Sequence, residues 1–162
     1  MTSNISKIFY LSPFRAFSLI VVFNVICIGG GMGVPVFNIL FGFVLGWYLI
    51  RWMLVKKFDE KIILARLIRY SFLIALVTAA GMVLIWSAAI LINIKSEADI
   101  ANFGIPLILY EPRASLFGWL ILMVVVSPFL QMLTTVFSGV LTLILWWRKT
   151  GTAVRSSKET TD

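Results

Sequence analysis

The stretch Leu116–Trp147, LFGWLILMVVVSPFLQMLTTVFSGVLTLILWW, decides how the rest of the chain is read. It is long and apolar enough to cross a bilayer with length to spare. It is not uniformly apolar, however. Ser127, Gln131, Thr134, Thr135, Ser138 and Thr142 recur at the three- and four-residue spacings that put side chains on one face of an α-helix. The opposite face carries Val, Leu, Met, Phe and Ile. Pro128 interrupts the hydrogen-bond ladder one turn before Gln131 and leaves the carbonyl of Val124 without its usual donor. Such a helix needs protein or water against its polar side, because polar groups facing hydrocarbon without partners are costly.

Composition extends this reading to the whole chain. Sixty per cent of the 162 residues are hydrophobic, only 13% are charged, and the mean hydropathy is +1.01. A soluble domain of this size would have almost no surface, so lipid is the expected solvent. The net charge of +7 does not point to nucleic acid. The cations sit at the ends of apolar runs, where anionic headgroups would meet them, and form no stripe on a folded face.

Upstream of the quoted stretch, three more apolar runs are separated by distinct breakers. Ser12-Pro13 reads as an N-cap followed by proline at the first helical position, opening a first span over about 14–29. That run also has the length of a secretory h-region. Asn24 in its middle weighs against cleavage, and an uncleaved span is expected. Gly29-Gly30-Gly31-Met32-Gly33-Val34-Pro35 then stops the helix. With no charge accompanying it, a tight hairpin is expected, with a re-entrant loop as the alternative. It lacks the Lys-Ser/Thr and the preceding strand of a phosphate-binding loop.

The second span, about 35–53, contains Gly42 and Gly46 at the spacing that lets another helix approach closely. It ends in Trp47, Tyr48, Arg51 and Trp52, an interfacial belt with a basic anchor. Residues 54–69 mix cations and Asp59-Glu60 with Ile and Leu at helical spacing. An amphipathic start running straight into the third span, about 70–94, is predicted, able to meet anionic lipid or a cytosolic partner. The third span is rich in small residues, among them Ala75, Thr78 and Ala79, which indicates packing against other helices. Lys95 to Ser115 forms an outer connection with a short apolar patch, and the fourth span follows over about 116–147.

Topology follows from charge. Of the 14 lysines and arginines, all but Lys95 and Arg113 fall on one side of these four spans. The positive-inside rule therefore puts both termini and the middle connection in the cytosol. The predicted architecture is an all-α integral membrane protein: a four-transmembrane-helix bundle, N-in and C-in, in a plasma (inner) membrane, with a Gly-rich hairpin between helices 1 and 2. Residues 1–149 form one transmembrane domain, and 150–162, rich in Thr, Ser and charge, form a disordered cytoplasmic tail.

Several function classes are excluded at this stage. There is no histidine, so the usual general base, haem ligand and most zinc sites are missing. The single cysteine, Cys27, permits no intrachain disulfide or cysteine cluster. No cofactor, metal or catalytic residue is expected, and the protein is not expected to be an enzyme. No Asp, Glu, Lys, Arg or His lies in the interior of any span, which argues against a pump or a proton-coupled transporter.

The residues that remain to carry function are the polar ones. Asn24 and Gln131 fall near the midpoints of spans one and four, and as donors and acceptors both they are natural mutual partners. Asn24, Ser127, Gln131, Thr134, Thr135, Ser138 and Thr142 form a packing seam, the lining of a path, or a face that meets lipid or a quinone, with Gly42, Gly46, Ala75 and Ala79 as helix-packing positions. The first reading makes the protein a non-catalytic accessory, assembly or interaction subunit of a membrane complex, with lipids and other membrane subunits, or itself, as partners. The second makes it an oligomeric channel or facilitator for a small solute.

Overall fold

The computed structural model describes residues 9–30, 36–56, 58, 60–95 and 112–159. For residues 30, 60, 61, 88–90, 92–95, 112, 113 and 150–159 it describes the backbone alone. The described residues form helices without a strand: α1 (Pro13–Gly30), α2 (Val36–Val55), α3 (Glu60–Lys95), α4 (Pro112–Ile121), a π-helical turn (Leu122–Val126) and α5 (Ser127–Glu159). Three stretches are long and apolar enough to cross a membrane, namely Val36–Val55, Ile62–Ser87 and Ala114–Lys149, and Pro13–Gly29 is a shorter apolar helix. The glycine-rich stretch 31–35, Asp59, and residues 96–111 of the outer connection lie outside the described residues.

Local chemistry accounts for the helix ends. The Arg15 backbone N–H donates to Ser12 Oγ at 3.5 Å, and the Ala16 N–H donates to the Ser12 carbonyl at 3.0 Å. Serine thus caps α1, with Pro13 where a missing N–H costs nothing. At the far end of α2, the Phe58 N–H reaches back five residues to the Met53 carbonyl at 3.3 Å. This turn places the Phe58 ring against Trp52, with centroids 5.9 Å apart, and under the Arg66 guanidinium at 4.0 Å. The amphipathic segment and the third apolar run are one continuous helix of 36 residues, about 54 Å long at 1.5 Å per residue. α5 also continues beyond the apolar run. Its backbone stays helical to Glu159, where composition predicts disorder from residue 150. Once a helix is nucleated, each further residue adds one hydrogen bond at little cost.

Contacts give the relative directions of the helices. Phe9 stacks on Tyr48 and Phe23 lies against Phe41, so α1 and α2 are antiparallel. Asn24 meets Thr78, and a side chain at Gly81 would meet Ile28, so α1 and α3 are parallel. Thr78 meets Gln131, and Leu67 packs over Gly139, so α3 and α5 are antiparallel. Thr134 meets the Ile39 carbonyl and Ser138 the Phe43 carbonyl, so α2 and α5 are parallel. Among the described residues the interface between α2 and α5 is the most extensive.

The interior is layered. Near the end where α2 hands over to α3, Ile50, Met53, Ile63 and Leu67 form a closed apolar core. Trp52 belongs to this core and not to an exposed belt. It is 5% exposed, donates its indole N–H to the Leu11 carbonyl at 3.4 Å, and packs edge-on to Tyr70. Further along the bundle buried polar side chains, Asn24, Asn38, Thr78, Ser127 and Gln131, join apolar ones such as Ile28, Met82 and Met123. Outside, large apolar side chains such as Phe17, Val25, Leu84, Phe117 and Phe137 are exposed. An apolar outer surface over an interior that also holds paired polar groups is unlike a soluble bundle and suits lipid as solvent.

Candidate functional site: the buried polar cluster

Three side chains from three helices close a ring of hydrogen bonds. Asn24 Nδ2 on α1 donates to Thr78 Oγ1 on α3 at 2.5 Å. Thr78 Oγ1 donates to Gln131 Oε1 on α5 at 2.6 Å, and its single proton is shared with the Ile74 carbonyl at 3.1 Å. Gln131 Nε2 donates back to Asn24 Oδ1 at 3.1 Å. Each member gives one bond and receives one. All three are at most 1% exposed. Interhelical hydrogen bonds in membranes are worth only about 0.6 kcal/mol each, so the ring's main effect is on register. Any other alignment of α1, α3 and α5 would leave a carboxamide or hydroxyl unpaired in an apolar interior.

The rest of the polar face of α5 lies on α2. Thr134 Oγ1 donates to the Ile39 carbonyl at 2.9 Å and approaches the Gln131 carbonyl at 3.0 Å. Ser138 Oγ donates to the Phe43 carbonyl at 2.6 Å. These hydroxyls reach the backbone of α2 only because Gly42 and Gly46 carry no side chain. A Cβ at Gly42 would sit 2.0 Å from Thr134 Oγ1, and one at Gly46 would sit 2.1 Å from the Thr135 carbonyl oxygen. Thr135 and Thr142 stay within their own helix, donating to the carbonyls of Gln131 at 2.7 Å and Ser138 at 2.8 Å. On α3, Ala75 is buried and Ala79 half-buried.

Ser127 opens the face, directly before Pro128. Because proline has no N–H, the helix shifts its pairing here: the Ser127 N–H bonds to the Leu122 carbonyl, five residues back, and closes the π-helical turn. Ser127 Oγ and Asn38 Oδ1 are buried and have no hydrogen-bond partner among the described residues. Asn38 and Thr78 are polar positions that sequence reasoning did not single out as site residues. Asn38 is a lone carboxamide at the start of an otherwise apolar run. Thr78 was legible only as one small residue among many.

The chemistry open to this cluster is narrow. Among the described side chains none is acidic, and the cations Arg15, Arg51, Lys56, Arg66, Arg69, Arg148 and Lys149 all lie at the end of the bundle where α1 and α3 begin and α2 ends. Among the described residues no group of His, Cys, Asp or Glu could hold a metal. The cluster consists of neutral groups, most of them hydrogen-bonded to one another or to backbone carbonyls, which suits a structural latch. Comparison with protein-family models, with curated proteins and with solved structures found no match to this chain. The functional reading therefore rests on geometry.

Proposed function

We propose that this protein is a non-catalytic, four-crossing protein of a plasma or inner membrane that acts as an accessory, assembly or interaction subunit of a membrane complex. Both termini and the connection around residue 57 face the cytosol in this reading. Four crossings are supported by the alternating directions of α1, α2, α3 and α5. They are also supported by the length of α1, whose 18 residues reach about 27 Å against a hydrocarbon core of about 30 Å. Orientation rests on the cations gathered at one end.

The observation that carries the functional reading is the seating of the α5 polar face on Gly42 and Gly46 of α2 within the same chain. The polar groups best suited to lining a path are turned inward. What the described residues offer their surroundings is apolar helix surface and a basic end. An oligomeric channel lined by this face would require α2 and α5 to part and the ring of Asn24, Thr78 and Gln131 to open.

Purification from native membranes in mild detergent, followed by mass and stoichiometry of whatever co-purifies, tests the proposal. A larger membrane protein present in fixed stoichiometry is the expected result. A symmetric homo-oligomer that conducts a small solute in proteoliposomes, and loses that flux in Gln131→Leu, would overturn it.

A further inference from the structure

α1 sits between α2 and α3 with an apolar groove on each flank. One, of about 300 Å³, runs between α1, α2 and α3 past Phe17, Leu49, Trp52, Tyr70 and Leu73. The other, of about 270 Å³, runs between α1 and α2 past Phe23, Phe41, Val44 and Trp47. Both are open on the outer surface, and both have Ala16, Ile20 and Tyr48 in their walls. Ala16 and Ile20 are buried, so they form a common floor under the helix.

The mouth of this paired groove lies at the cationic end. Arg15 stands one turn before the lining residue Leu19, Arg51 one turn after Trp47 and Arg69 one turn before Leu73, each on the same helix face as its groove, and all three arginines are exposed. Arg66, by contrast, is engaged over Phe58. Two apolar grooves astride one helix, meeting under a cluster of exposed arginines, match two acyl chains joined at a negatively charged headgroup. Membrane cations of this kind attract anionic lipid, and arginine binds phosphate oxygens in a bidentate manner.

We propose that the grooves flanking α1 bind one anionic diacyl glycerophospholipid, with one chain on each side of the helix and the phosphate held by Arg15 and Arg69. Arg51 lies close enough along the chain to the groove mouth to add to the same field. This site is separate from the buried polar cluster and does not depend on which membrane complex the protein joins.

The test is native mass spectrometry of the whole protein in detergent, titrated with equimolar phosphatidylglycerol and phosphatidylcholine of matched chains. One phosphatidylglycerol per chain should be retained, in preference to phosphatidylcholine by more than tenfold, at about fivefold for each cation engaged. Arg15→Gln/Arg69→Gln should cut that preference to about fivefold or less, what Arg51 alone supplies, whereas Arg148→Gln/Lys149→Gln, at the same end of the bundle, should keep it. Ala16→Leu, which fills the shared floor, should weaken binding of both lipids. The proposal is overturned by equal retention of the two lipids in the unaltered protein, by equal losses in the two double variants, or by displacement of the lipid with glycerol 3-phosphate alone.

Discussion

Replacing Gly46 by alanine strikes the α2–α5 seam at its tightest point. The added Cβ would lie 2.1 Å from the Thr135 carbonyl oxygen, 2.7 Å from the Gly139 nitrogen and 2.9 Å from Ser138 Cβ. Real Cβ atoms essentially never come within 3.0 Å of a neighbour, and the first two atoms are backbone, which cannot swing aside. The helices must therefore separate by about 1 Å. That stretches the Ser138–Phe43 bond from 2.6 Å to about 3.6 Å, beyond hydrogen-bonding range. Overpacking costs about 1–3 kcal/mol, and the lost interhelical bond adds about 0.6 kcal/mol. Alanine's better helix propensity returns at most about 1 kcal/mol. The net expectation is a loss of about 1–3 kcal/mol. Gly118→Ala on α4 is the matched control, because a Cβ there meets nothing within 4 Å. It should be neutral or stabilise by up to about 1 kcal/mol. Reversible unfolding by SDS in mixed micelles, followed by far-UV circular dichroism, reads the difference between the two. If Gly46→Ala unfolds within about 0.5 kcal/mol of Gly118→Ala, the close approach of α2 and α5 is refuted.

Three further outcomes follow from the same geometry. Gln131→Leu should destabilise by about 1–3 kcal/mol, because it leaves Asn24 Oδ1 without a donor in the buried interior, while Thr78 falls back on the Ile74 carbonyl. The triple variant Asn24→Leu/Thr78→Val/Gln131→Leu should recover part of that loss in the same unfolding assay, and a triple variant worse than the sum of its parts would contradict the ring. Ser127→Ala removes a buried hydroxyl that lacks a partner among the described residues, so it should be neutral or stabilise by up to about 1 kcal/mol, whereas Ser138→Ala should destabilise. In a Cys27→Ala background, Lys56→Cys and Lys149→Cys should react with a membrane-impermeant maleimide only after the cytosolic face is opened; labelling of intact cells would reverse the proposed orientation.

Much of the class of this structure was legible in composition, because a chain of this hydropathy can bury its backbone polar groups in lipid only as helix. Glycine spacing and carboxamide depth were also readable. Gly42 and Gly46 advertise a close approach, and Asn24 and Gln131 fall at depths where each suits the other. What a helical period cannot supply is the identity of the neighbour. The face of α5 was visible in the sequence, but its seat on α2 depends on Ile39 and Phe43 offering carbonyls, and carbonyls are the same at every residue. Thr78 was hidden among alanines for a related reason, since a threonine in a small-residue stretch reads as packing until its hydroxyl has a partner. Pro128 announced a disturbance in the ladder. The proline alone does not say whether the helix answers with a kink or a π turn, and the π turn that forms packs on α3.

The central claim is that the polar side of α5 is sealed within the same chain, Thr134 and Ser138 against α2 and Gln131 against α1 and α3. Magic-angle-spinning NMR of the uniformly labelled protein in lipid bilayers reads this directly, through carbon–carbon transfer from the Gly46 Cα. A cross-peak from Gly46 to Thr135 or Gly139 is predicted, since a Cβ on Gly46 would lie within 2.7 Å of atoms of both residues. Absence of that cross-peak, with water magnetisation reaching the side chains of Gln131 and Ser138 instead, would contradict the account.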